Sequence, residues 1–204
     1  MNHYDNRSLR TASLIAGLAL ALMTALAAFG NFVAIQPLVT PGDAAKTAID
    51  ISHSEALFRW GIASLILVAV LDIIVAAALL RLFEPVNRSV SITAAWFRVA
   101  YAAVYLVAII QLVVALGLLG EPDQALRAIH TYDTIWLVGL IAFGVHLLLI
   151  GYLAYRSGFM AKVFGILLVI AGLGYIADGF VAVLVPGPSI SIGQTSGAVS
   201  TPPR

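Results

Sequence analysis

FGVHLLLIGYLAYRSGFMAKVFGILLVIAGLGYIAD, residues Phe143 to Asp178, decides the fold. One apolar run carries His146 and closes on Tyr155-Arg156-Ser157-Gly158. A second apolar run follows and ends at Tyr175 and Asp178. Two apolar runs of this length, hinged at a short basic segment, read as antiparallel helices that cross a bilayer. A hydrocarbon core of about 30 Å needs roughly 20 helical residues to span it. Each run also carries a polar group that lipid alone would not tolerate, so these helices need neighbours.

The rest of the chain supplies them. Of 204 residues, 61% are hydrophobic and 10% are charged, and the mean hydropathy is +1.01. Soluble domains carry about 25% charge. No strand-like alternation is present, so the expectation is an all-α integral membrane bundle and not a barrel. The periodic apolar runs place five transmembrane helices at about 11–35, 55–82, 90–119, 132–155 and 159–185. They make one transmembrane domain over 1–186. Residues 187–204, rich in Ser, Thr, Gly and Pro, are expected to be a disordered polar tail. The first run competes with a cleaved signal peptide, with small residues near Ala27. It is longer than the roughly 7–15 residues of a signal core, so it is kept as a span. Gln36 to Ser54 is a polar loop whose second half, Gly42 to Ser54, can form a short surface helix. Gly120 to Thr131 is expected to be a short acidic loop.

Charge orients the bundle. Arg7, Arg10, Arg81, Arg88, Arg156 and Lys162 fall on one side, and Asp43, Asp50, Glu55, Glu121, Asp123 and Asp133 on the other. Basic loops face the cytoplasm, which predicts an N-in, C-out topology in the inner (plasma) membrane. Trp60 and Trp136 then sit near the outer interface, where indoles are favoured. The net charge of +1 argues against nucleic acid as a partner. There is no cysteine, hence no disulfide, thiolate metal site or thiol nucleophile.

Counting from the basic helix ends sets depth. Asp72 lies nine residues from Arg81, Arg98 ten from Arg88, and His146 ten from Arg156. At 1.5 Å per residue all three are about 14 Å in, near the midplane. Ionisable groups there face the bundle interior and pair. An Asp72–Arg98 ion pair with His146 close by is expected. Tyr101 and Tyr105 follow Arg98 on the same helix face. A second, outer layer is expected from Arg59, Asp178 and Tyr175, with Arg59 and Asp178 approaching each other; Asn31, Gln111, His130 and Asp133 fall at similar levels.

Each group also has a structural reading. An intramembrane ion pair can be a staple that sets helix register. A lone histidine can be a hydrogen-bonded packing residue, and Tyr101 and Tyr105 can be core aromatics. Gly165, Gly172, Gly174 and Gly179 read as close-packing positions and not as a phosphate loop. No GxSxG, HExxH, P-loop or dinucleotide fingerprint occurs, so no catalytic residue, metal site or cofactor is assigned. Only His146 is deep, which does not suit bis-histidine haem.

Several motifs carry a resemblance: Pro41-Gly42-Asp43-Ala44-Ala45, Leu57-Phe58-Arg59, Pro85-Val86-Asn87-Arg88-Ser89 and Phe97-Arg98. The longest are Gly144-Val145-His146-Leu147-Leu148-Leu149-Ile150-Gly151-Tyr152-Leu153, Tyr155-Arg156-Ser157-Gly158-Phe159 and Gly174-Tyr175-Ile176-Ala177-Asp178. Over about residues 10–186 the chain resembles the bacterial membrane family known as domain of unknown function 4386. The resemblance implies a compact polytopic membrane protein and no particular activity. It also implies a sixth span, where this chain has a polar stretch after Pro186. Any site that span would wall is then expected to open to lipid or to a partner chain, which favours a homo-oligomer or a partner membrane protein.

The leading functional expectation is a small binding or accessory protein. Asp72, Arg98 and His146 would form an intramembrane site for a lipid- or quinone-like amphiphile, with Arg98 attracting the polar head and the His146 charge responding to pH. Two other readings use the same residues: an intramembrane enzyme or proton-coupled transporter with His146 as base or relay, and a purely structural subunit.

Overall fold

The computed structural model describes residues 3–184, all of it helical apart from turns and short connections. The tail expected over 187–204 lies outside the described residues. Six α-helices follow in order: α1 (His3–Ala28), α2 (Ala44–His53), α3 (Glu55–Phe83), α4 (Arg88–Gly117), α5 (Pro122–Arg156) and α6 (Lys162–Leu184). Five helical stretches are long and apolar enough to cross a membrane: Arg10–Leu38, Glu55–Phe83, Arg88–Gly117, Pro122–Arg156 and Lys162–Leu184.

Several boundaries differ from the sequence reading, and α1 already begins at His3 and not at 11. The first span does not end as a regular α-helix. After Ala28 it widens into a π-helix over Phe29–Ile35 and then tightens into a 3₁₀ turn over Gln36–Leu38, with Pro37 in its first turn. The stretch Gly120–Thr131 is not a loop, because α5 starts at Pro122. Proline suits a first helical position, where no N–H is needed. Ala125, Ala128, Ile129 and Tyr132 then bury one stripe of that extension, which packs on α2. At the other end, α6 begins at Lys162 and not at 159. Gly158, with φ of 72°, makes the turn between α5 and α6 in a conformation that side chains disfavour.

The short helix expected within Gly42–Ser54 is present as α2. The Asp43 side chain caps it by accepting from the Lys46 amide at 2.8 Å. Lys46 and Asp50 pair along its exposed side, while Thr47, Ala48 and Ile51 are buried. The turn before α4 is fixed in the same way. Asn87 accepts from the Val90 amide at 3.1 Å, and the Ser91 hydroxyl donates to the Leu80 carbonyl at 3.0 Å, tying α4 to the end of α3.

The helices pack in chain order: α1 on α3, α3 on α4, α4 on α5, and α5 on α6. Small residues allow the close approaches. A methyl group built on Gly172 would lie 2.7 Å from the Gly144 carbonyl oxygen, and one on Gly165 would lie 2.7 Å from that of Gly151. The two pairs repeat every seven residues and lock α5 to α6 face to face. Gly179 continues the seam against Ile141, whereas Gly174 faces open space. Of the four glycines read as packing positions, three are therefore in the seam. Gly30 and Gly61 play a similar part between the first span and α3, against Leu65 and Ala34. The outward faces of α1 and α6 remain apolar and exposed, as lipid contact requires.

The seam separates two otherwise similar substitutions. Gly172→Ala is expected to cost about 1–3 kcal/mol, the range for overpacking a filled interface, and to lower the thermal midpoint in detergent. Gly174→Ala should leave the midpoint unchanged or raise it, since alanine is the better helix former. Equal effects in a thermal-shift assay would rule out the glycine seam.

Candidate functional site

Three helices each bring one polar group to the centre of the bundle. On α3, Asp72 lies on the stripe that buries Leu65, Val68, Ala69, Val75 and Ala76. On α4, Arg98 lies on the stripe of Ser91, Ala94, Tyr101, Ala102 and Tyr105. On α5, His146 lies beside Leu147 and Ile150 on the face turned from the glycine seam. Relative exposures are 1% for Asp72, 3% for Arg98 and 1% for His146.

Their contacts form one connected set. Arg98 Nη2 is 2.6 Å from Asp72 Oδ1. The approach is an ion pair lying off hydrogen-bond direction, and Arg98 Nε finds no partner among the described residues. Arg98 Nη1 donates to His146 Nε2 at 3.0 Å. The opposite ring nitrogen, Nδ1, donates to the Ala94 carbonyl at 2.8 Å. A ring that accepts at Nε2 and donates at Nδ1 is the neutral Nδ1–H tautomer. Ala94 sits one turn before Arg98, and its small side chain leaves the carbonyl open to the imidazole.

Aromatic rings enclose the set. Phe143 lies with its centroid 5.5 Å from the Arg98 guanidinium carbon and 5.8 Å from the His146 ring. Tyr101 packs on Phe143 at 4.9 Å and stacks nearly parallel on Tyr105 at 5.8 Å. The Trp136 indole N–H donates to the Tyr101 hydroxyl at 3.2 Å. The five residues expected at the inner level, Asp72, Arg98, His146, Tyr101 and Tyr105, are thus brought together.

The expected outer layer is not. Arg59 turns to Glu55 on its own helix, at 2.7 Å, and Asp178 is exposed with no ion-pair or hydrogen-bond partner among the described residues. The reason is helix order. Arg59 is on α3 and Asp178 on α6, and α4 and α5 stand between them in the packing sequence. Tyr175 belongs instead to the inner group, edge-on to Phe143 at 5.6 Å.

A second feature escapes depth counting. Packing in chain order leaves α1 and α5 unclosed on each other, and a groove of about 640 Å³ fills the gap at the end that bears α2. The π-helical turn forms one wall with Asn31, Phe32 and Ile35, and α5 forms the other with Tyr132, Asp133 and Trp136. Short π-helical segments are uncommon and frequent at functional sites. The Asn31 side chain folds back to donate to the Ala27 carbonyl at 3.0 Å. The sequence places Asn31 and Asp133 at one level; a Gly30-Asn31 pair inside an apolar run is its one sign of irregular helix there.

A family model described as "Domain of unknown function (DUF4386)" matches residues 15–202. An "Uncharacterized protein" of Archaeoglobus fulgidus is 34% identical over 122 residues, which cover 58% of this chain and 65% of the relative. No solved structure matches the chain.

The central ion pair makes a measurable coupling. Asp72→Leu or Arg98→Leu alone strands a buried charge, and each is expected to cost about 3–5 kcal/mol. The double variant should cost less than the sum, with a coupling of about 1–3 kcal/mol. It should not reach wild type, because His146 Nε2 loses its donor. Additive losses in thermal unfolding of the four proteins would mean that the two residues do not act as a pair.

Proposed function

The chain belongs to the family of the domain of unknown function DUF4386, and from that premise and the groove we propose a multi-pass membrane protein that binds one amphiphile. The observation that carries this reading is the groove between the π-helical turn and α5. Its volume of about 640 Å³ falls in the usual range of small-ligand sites, about 300–1,000 Å³. Its walls are mainly apolar, and Asn31, Gln36 and Asp133 supply a few polar groups.

In this reading the head group is not held by Arg98. Both Nη atoms of Arg98 are engaged, by Asp72 and His146, and its surface is almost fully covered. The inner cluster acts as the anchor that holds α3, α4 and α5 together. Tyr101 and Trp136 carry that rigidity outward, since the Trp136 indole both lines the groove and bonds to Tyr101. A buried cluster whose charges are met inside the bundle supports a structural role better than direct ligand contact.

Native mass spectrometry after gentle extraction from the membrane tests the proposal. Wild-type protein should carry a stoichiometric small molecule. Ala28→Trp, which fills the groove from α1, should lower its occupancy at least tenfold while the protein stays folded. Arg98→Lys should keep the ligand. Wild-type protein that emerges bare, or a ligand that survives Ala28→Trp, would defeat the groove as the site.

A further inference from the structure

Resting on that reading, we infer that the groove selects an amphiphile with a positively charged amine head. Asp133 contributes a carboxylate with no salt bridge or hydrogen bond among the described residues, and His130, three residues earlier on α5, is its electrostatic neighbour. No lysine or arginine lines the groove. Several donors that would otherwise receive an anionic or carbonyl head are engaged within the protein. Thr24 donates its hydroxyl proton to the Leu20 carbonyl at 2.9 Å. One Asn31 amide proton goes to Ala27, and the Trp136 indole proton goes to Tyr101.

What remains among the described residues is one carboxylate, Asp133, as the only acidic or basic side chain lining the groove, beside the acceptors Asn31 Oδ1 and Thr24 Oγ and the Gln36 amide and Tyr132 hydroxyl, which can donate or accept. A head rich in N–H donors and carrying a positive charge satisfies these groups. The aromatic rings of Phe32 and Trp136 add faces on which an ammonium is attracted. A fatty-acid carboxylate meets a like charge at Asp133, and a neutral quinone gains no charge pairing there. The apolar floor takes the alkyl chain in either case, so the head alone decides preference.

Fluorescence quenching gives the test. Trp60 and Trp96 are both 69% exposed, so a Trp60→Phe/Trp96→Phe protein keeps Trp136 as its single reporter in the groove. In maltoside micelles it is titrated with brominated dodecylamine, dodecanol and dodecanoic acid. The amine should quench Trp136 at a concentration at least tenfold lower than the other two. Asp133→Asn should abolish that advantage without changing the response to the alcohol, which cancels micelle partitioning, and Asp133→Glu should restore it. Equal quenching by amine and alcohol in the parent, or an amine advantage that persists in Asp133→Asn, overturns the amine inference and leaves the groove reading standing. If no brominated chain quenches Trp136, the groove itself is not a site and both fall.

Discussion

The burial of one guanidinium organises this bundle. A charged arginine near the middle of a span costs about 2.5–3.5 kcal/mol by insertion measurements, and that cost falls only if the charge is met inside the protein. Arg98 is met from both sides, by a carboxylate on α3 and an imidazole on α5. The demand fixes more than a pair. It fixes the rotation of α4, the level at which α3 and α5 pass it, and the identity of the histidine tautomer. The imidazole transmits the constraint to the backbone, since its other nitrogen is held by the Ala94 carbonyl on the same helix as Arg98. The two contacts of His146 close a ring through α4, and Asp72 ties α3 to it through Arg98.

Helices outside that ring are held by shape. The α5–α6 seam depends on glycines whose backbones touch, a mode suited to lipid, where burying apolar side chains from water supplies no driving force. The first span uses the same device against α3 through Gly30 and Gly61. A seam built this way joins two helices and recruits no third. Packing therefore runs in chain order, and the gap between α1 and α5 is a consequence of the local rule. The groove exists because the first span is anchored on α3 and has no glycine face toward α5.

The parts that one-dimensional counting can express were legible in the sequence. Five spans follow from apolar run length, and the common level of Asp72, Arg98 and His146 follows from distance to the basic ends. Level is not adjacency, which is why Arg59 and Asp178 remain apart although both lie toward the same end. Whether two groups at one depth meet depends on the order of helices around the bundle, and hydropathy carries no angular information. The extension of α5 to Pro122 was hidden for another reason. Ala125, Ala128 and Ile129 form an apolar stripe little more than one turn long among polar neighbours, below the length that marks a span, and its partner α2 is itself short. The π-helical turn leaves almost no trace, because it changes hydrogen-bond spacing without changing composition.

In the proposed reading the inner cluster and the groove are two ends of one packed path. Arg98 and His146 border Phe143, Phe143 packs on Tyr101, and Tyr101 receives the indole proton of Trp136 on the groove wall. Each contact is between rigid planar groups, which have few rotamers in which to absorb a displacement. The cluster can then influence a bound molecule without touching it, by setting the angle at which Trp136 faces the groove. The indole N–H is withdrawn from the groove by the same bond. In that reading the polar residues deepest in the bundle reach the groove wall through one packed path, whose last step is the hydrogen bond from Trp136 to Tyr101.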